Sequence, residues 1–196
     1  MVKQLLFVPL RMLIILTVLT GFIYPGIVTA LATPFFSVQA AGSILDVDGV
    51  VVGSALIGQA NQAPGYFWPR PSAVNYMEGS NANALGSSGA SNAGQTSATL
   101  AAQVAERSAT FRSANGLAPD VALPPDVLFA SGSGLDPHSS PQAAQLQVAR
   151  VAAARGLEPA IVAALVDQYT EGPQLGFLGE PRVNVLLLNL ALDRVE

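Results

Sequence analysis

Ser133, Asp136 and His138 lie within six positions of one another and carry the groups of a hydrolase triad, a hydroxyl, a carboxylate and the chain's 1 histidine. Their spacing argues against that chemistry. Ser133 is not in a Gly-x-Ser-x-Gly elbow, and it stands too close to His138 in sequence for the ring to face the serine and the carboxylate at once. A turn in which Asp136 and Ser140 accept from nearby backbone N–H groups is the favoured reading. A metal centre fares no better: with one imidazole and 0 cysteines, its other protein ligands would all be carboxylates, and no Glu-x-x-His pair is present. Gly53 to Ala60 has the two glycines of a phosphate-binding loop, but Gln59 stands where the lysine would be and Ala60 where the magnesium-binding hydroxyl would be. Gly132-x-Gly134 lacks the third glycine of a dinucleotide fingerprint. No cofactor is expected to be bound by these motifs.

The elements around these residues have clear punctuation. Ser131 to Gly134 and Asp136-Pro137 favour tight turns, Ser140 suits an N-cap and Pro141 the first helical position. Gln142 to Arg155 is predicted as one helix, with Ala144, Val148, Val151 and Ala152 at helical spacing, cationic Arg150 and Arg155 in its second half, and Gly156 as the stop. Leu157-Glu158-Pro159 begins a second helix with a stripe of Ile161, Val162, Leu165, Val166 and Tyr169, completing a helical hairpin. Upstream, Ile44 to Val47 and Val50 to Ile57 flank Asp48-Gly49, a pair suited to a type I′ hairpin. Tyr66 to Pro71 reads as an ordered loop in which two prolines hold Arg70 extended. Gly79 to Ser97, rich in Gly, Ser and Asn, reads as a long surface loop. Ser97 should start a helix with Leu100, Val104 and Phe111 on one face and a stop at Asn115-Gly116. Val183 to Leu192 is nearly all apolar and reads as a buried helix, too short to span a membrane.

These residues resemble the C subunit of the Kdp potassium-transporting ATPase. The resemblance rests on Ser131 to Gly156 and on GFIYP at Gly21 to Pro25, GSALIGQ at Gly53 to Gln59, YFWPRPSA at Tyr66 to Ala73, SNAGQT at Ser91 to Thr96 and FLGEPRVNVLLLNLALD at Phe177 to Asp193. It covers nearly the whole chain, and the loop from Gly79 to Ser97 departs most. It implies a noncatalytic accessory subunit required for a working potassium importer. The implied partners are a potassium-conducting A subunit, an ATP-hydrolysing B subunit and a small F peptide. The family is described as a catalytic chaperone that raises the ATP affinity of B, so the resemblance leaves Mg-ATP and potassium to the complex. Candidate signature or partner-contact residues on this reading are Gln59, Arg70, Ser131, Gly134, Asp136, His138, Gln142, Gln145, Arg150, Asn184 and Asn189.

Met12 to Ala32 has no charge and, at ~1.5 Å per residue, is long enough to cross a hydrocarbon core of ~30 Å. Lys3 and Arg11 precede it and the first charge after it is Asp46, so residues 1–11 are expected in the cytoplasm, 12–32 in the bilayer and 33–196 outside. The fold class expected is thus a single N-terminal transmembrane helix plus one extracytoplasmic mixed α+β domain in a bacterial inner membrane. Ala30-Leu31-Ala32 also fits a signal-peptidase site, which would make the remainder a secreted binding module; the length of the apolar run favours a retained anchor. Of 9 Lys and Arg, all but Lys3 and Arg11 follow the span, where 13 Asp and Glu outnumber them, which argues against nucleic acid and anionic lipid as ligands of the domain. The helical hairpin superficially resembles a DNA-binding helix-turn-helix, and the acidic, external setting argues against that use. A membrane-anchored serine hydrolase built on Ser133 is the other alternative.

Overall fold

A run of apolar residues interrupted by Pro25 must make its helix around a missing N–H. In the computed structural model, which describes residues 2–74 and 87–195, helix α1 (Val2–Val18) widens into a π-helical turn (Leu19–Ile23) and continues as α2 (Tyr24–Phe35). Pro25 cannot donate, and its ring would press on the carbonyl one turn back, so the preceding turn takes an extra residue and the Tyr24 N–H reaches Leu19 O. Thr20 and Thr33 bond their hydroxyls to Leu16 O and Thr29 O, at 2.7 and 2.8 Å. The apolar helix Leu5–Phe35 has 31 residues, with a mean hydropathy of 2.2 over its 18-residue apolar stretch and side chains exposed almost throughout. It is longer than the 12–32 expected, and it runs unbroken through Ala30-Leu31-Ala32. A short helix, α3 (Ser37–Ala40), follows.

The chain divides into two compact units, Met1–Ile44 and Leu45–Glu196. At the start of the second, β1 (Ile44–Val47) and β2 (Val50–Ser54) form a two-stranded sheet. Asp48 and Gly49 both take positive φ, 54° and 81°, as a type I′ turn requires, and Asp46 Oδ1 accepts from Gly49 N at 2.8 Å. The second strand stops at Ser54, short of the expected Ile57, because a turn begins there with Ile57 N donating to Ser54 O. Residues 79–86 of the Gly79–Ser97 loop lie outside the described residues; 87–97 is irregular backbone with a turn before Ser97.

Helix α4 (Ala98–Asn115) is capped as its sequence dictates, with Ser97 Oγ accepting from Leu100 N and Gly116 in the left-handed region at φ 62°. Beyond a 3₁₀ turn at Pro125–Val127 come β3 (His138–Ser139), α5 (Pro141–Gln145), α6 (Val148–Arg155), α7 (Pro159–Gln168), β4 (Thr170–Glu171), β5 (Arg182–Asn184) and α8 (Val185–Leu192). The antiparallel sheet β3-β5-β4 sets His138 opposite Asn184 and Thr170 opposite Val183. No strand was expected at β3 or β4: two-residue strands have no periodicity to read.

The largest apolar cluster joins Phe67 with Val148, Val151 and Ala152 of α6, Val162 and Val166 of α7, and Val183, Leu188 and Leu192. A second gathers Phe111, Val127 and Ala143, with Trp68 packed edge-on to Phe111 at 6.4 Å. Tyr66 to Pro71 is ordered without regular structure, as expected, and Phe67 and Trp68 enter different clusters. Three expectations need correction. The helix expected over Gln142 to Arg155 breaks at Leu146-Gln147. There the Gln147 amide donates to Ala143 O, the acceptor its own backbone N–H would use in a continuous helix, and that N–H turns to Ala144 O instead. Ile161 is 47% exposed, leaving Val162 and Val166 to carry the buried stripe of α7. Val183 and Asn184 belong to β5, and only Val185 onward is the buried helix, because Asn184 Oδ1 caps it by accepting from Leu187 N.

Candidate functional site

Turn chemistry from Ser131 to Ser140 builds a knot onto which three distant segments are tied. Asp136 is its centre. Its Oδ1 accepts from His138 N at 3.0 Å and lies 3.4 Å from His138 Nδ1, while its Oδ2 pairs with an Arg70 guanidinium nitrogen at 3.0 Å. The His138 side chain, opposed by partial burial and assisted by the His138 N–H and by Arg70, holds this carboxyl down at about 2. Arg70 also reaches Phe129 O. Ser131 donates its N–H to Pro71 O at 3.1 Å, and its Oγ is buried without a hydrogen-bond partner among the described residues.

Gly134 has φ 71°, and a Cβ there would stand 2.5 Å from both Gly89 O and Val74 Cγ2. Only glycine allows both the turn and the approach of these segments. Gly89 N and Ser88 Oγ both donate to Ser133 O, and Ser72 Oγ donates toward Gly134 O. The knot is tied to the hairpin side by Gly58 N on Leu135 O, and to α8 by Val185 N on Pro137 O, both at 2.9 Å. Asp126, which nothing in the sequence singled out, holds the next turn: it accepts from Ser140 N, Ser140 Oγ and Ser139 Oγ at 2.7 to 3.0 Å. Ser140 Oγ in turn accepts from Ala143 N and caps α5.

A second node lies under Trp68. Arg150 donates to Asn115 Oδ1 (2.9 Å), Tyr66 O (3.0 Å), the carbonyls of Ala63 and Pro64, and Gln147 Oε1 (2.7 Å), with its guanidinium 4.9 Å from the Trp68 ring centre. Burial lowers its pKa to about 10, so it remains charged at neutral pH. The fully buried Gln147 accepts from Trp68 N at 2.8 Å as well. Asn189 clamps the neighbouring residue with two bonds, accepting from Phe67 N and donating to Phe67 O at 2.8 and 3.0 Å.

The remaining candidates are scattered. Asn184 Nδ2 donates to Ala55 O, tying β5 to the hairpin segment. Gln59 folds back to donate to Val52 O, occupying the space beside Gly53 where a Cβ would sit. It thereby fills the position where a phosphate loop would present its lysine. Gln59 and Asn189 also line a cleft of about 150 Å³ with Val52, Tyr66, Pro137 and Asp193. Gln145 bridges to Asp167 on α7, and Gln142 is exposed. The structure therefore brings Arg70, Ser131, Gly134, Asp136 and His138 together in one knot and gathers Gln147 and Arg150 in another. Gln147 reads from sequence only as one of several polar residues on the signature helix, and its partner Trp68 lies 79 residues away; Asn115 and Asp126 give no sign in sequence of the partners they meet 35 and 13 to 14 residues on.

Chemically, the charged and amide side chains of both nodes are bonded within the domain, and the Ser131 hydroxyl is the exception. Ser133 Oγ accepts from Leu135 N at 3.1 Å, and among the described residues no bond joins Ser133 to His138. Among the described residues no group of three or more His, Asp or Glu is placed to hold a metal ion.

The family model described as KdpC, the K+-transporting ATPase c chain, matches residues 6–194. Potassium-transporting ATPase KdpC subunits from Synechocystis sp. and Cereibacter sphaeroides are 49% and 50% identical, over 95% and 94% of this chain and 96% and 94% of theirs. That of Gemmatimonas aurantiaca is 54% identical over 91% of this chain and 86% of its own. With an N-terminal apolar helix, a mixed α/β body and a match over nearly its full length, this chain belongs to the KdpC family of potassium-transporting ATPase subunits.

Proposed function

We propose that this chain is the membrane-anchored, noncatalytic C subunit of its ATPase, working from the extracytoplasmic side through contacts with the potassium-conducting and ATP-hydrolysing subunits. The observation that carries this reading is that most of the polar signature residues are bonded inside the domain. Asp136, Arg70, Gln147, Arg150 and Asn189 are bonded to one another or to backbone groups of their own domain, as suits a scaffold of fixed shape. Catalysis would need a polar group held ready for a reacting atom.

The orientation follows from charge. Lys3 lies before the apolar helix and Arg11 in its first turns, both ahead of the uncharged stretch 12–32, and Asp46 is the first charged residue after it, a pattern that keeps the N-terminus cytoplasmic and puts the body outside. An outer domain and cytoplasmic ATP are separated by the bilayer. The effect on ATP affinity described for the family therefore reaches the B subunit by coupling: this chain binds one state of the membrane subunits better than another. Its role in assembly with the A, B and F partners follows from the same contacts.

The experiment is omission and add-back. Complex isolated from membranes lacking this chain should lose potassium-stimulated ATPase activity and regain it on co-expression of the chain. Full activity without the chain contradicts the accessory role, and a reporter fused after Gln39 that matures only in the cytoplasm contradicts the topology.

A further inference from the structure

The apolar helix Leu5–Phe35 is longer than a bilayer needs. At ~1.5 Å per residue its 31 residues extend about 46 Å, against ~30 Å of hydrocarbon. Arg11 fixes which part lies inside, because its guanidinium is held at the inner edge and not in the hydrocarbon. Counting ~20 residues onward, or about one more for a tilt of ~20°, puts the outer edge at Leu31 or Ala32. A chain leaving for water should turn polar there. Instead no charge appears before Asp46, and Phe35 (76%), Phe36 (61%) and Val38 (62%) are all exposed. The backbone also closes on itself: the N–H groups of Phe36, Ala40, Ala41, Gly42 and Ser43 all bond within residues 32–43, and Thr33 turns its hydroxyl back to Thr29 O. Polar groups that would otherwise seek water are met internally, as a water-poor layer requires.

We infer that residues 33–43 form an interfacial collar, with Phe35, Phe36 and Val38 seated in the headgroup and upper acyl layer of the outer leaflet. The occupant of this surface is lipid, not protein. Phe35 and Phe36 are consecutive, and the chain leaves helical geometry at Phe36 (φ −136°, ψ 47°), so the two exposed rings project in different directions and one flat protein surface could not cover both. A bilayer interface surrounds the chain on every side. It also suits apolar rings beside uncharged polar groups, here Ser37 and Gln39. With no charge between Arg11 and Asp46, the collar meets neutral headgroups without repulsion. Its rings resist sliding of the helix along the membrane normal. This inference rests on the membrane-anchored reading and adds to it the depth at which the chain leaves the bilayer.

The chain has 0 cysteines, so a single nitroxide can be attached to the full-length protein in phosphatidylcholine vesicles at Phe36→Cys, at Phe22→Cys or at the exposed Asp120→Cys. Collision with oxygen reports lipid, and collision with a water-soluble nickel chelate reports water. The Phe22 label should lie about 14 Å inside the outer edge, the Asp120 label in water, and the Phe36 label within ~5–10 Å of that edge, reached by oxygen more than by nickel. A Phe36 label as open to nickel as the Asp120 label overturns the collar. A Phe22 label open to nickel would instead sink the anchor itself, so the two failures are distinguishable. Lipid is separated from protein in native membranes holding the whole complex, with p-benzoylphenylalanine in place of Phe36. Irradiation should add the mass of a phospholipid to this chain. Crosslinking to another subunit or to a second copy of the chain, or no crosslink at all, overturns the lipid assignment.

Discussion

Arg150 and Asp136 are both charges drawn into the domain, and they differ in how much each is worth. Arg150 serves five acceptors from three separate stretches of chain, so Arg150→Ala leaves part-buried carbonyls and amides unmet and should cost about 2–4 kcal/mol in denaturant unfolding of the full chain in detergent. Arg150→Lys should recover less than half, because an ammonium cannot reproduce the planar fork. A loss below 0.5 kcal/mol for the alanine variant, taken as about the scale of surface substitutions, would show that the node is ornamental. Asp136 sits lower in energy when ionised in the fold than when unfolded. Its contribution is therefore complete above ~pH 4 and disappears as pH falls toward about 2. With the carboxylate partly open to water, the stake is on the order of 1 kcal/mol. Asp136→Asn should flatten the acid limb of the stability curve by that amount; an unaltered limb between pH 4 and 2 would contradict the arrangement with His138 and Arg70.

Element boundaries were legible where local chemistry sets them. Ser97 and Ser140 accept from the first turns of their helices, Gly116 and Gly156 end theirs at left-handed φ, and Asp48-Gly49 turns the hairpin. What stayed hidden depends on partners 79 to 122 residues distant: Gln147 on Trp68 and Asn189 on Phe67. The break between α5 and α6 is the cost of burying one amide, and it could be read only as a misplaced polar residue. The candidate site was legible as a list, in that Arg70, Ser131, Gly134, Asp136 and His138 do converge, but not as a geometry. Gly134→Ala offers a sharp test of that geometry. It imposes a left-handed alanine and a 2.5 Å approach to Gly89 O and Val74, and should destabilise the full chain by roughly 2–4 kcal/mol. Near-neutral behaviour would mean that the 87–90 segment does not dock on the knot as described.

For the molecule as a whole, the apolar helix and the mixed α/β body have separate work, and the proposed function requires both in one polypeptide. Helix through Ala30-Leu31-Ala32 is a poor substrate for cleavage there, so intact mass of membrane-extracted protein should retain the N-terminal helix; a dominant species starting at Thr33 would make the body a released module. The central claim is that this chain influences ATP handling without holding ATP. Titration calorimetry with Mg-ATP tests it most directly, first on the purified full chain in detergent and then on the complex with and without the chain. We predict no saturable heat from the chain alone and a weaker ATP affinity of the complex when the chain is absent. Saturable binding by the chain alone at physiological ATP concentration, abolished by Gln59→Ala or Arg150→Ala variants that remain folded, would contradict the account and put a nucleotide site in this domain.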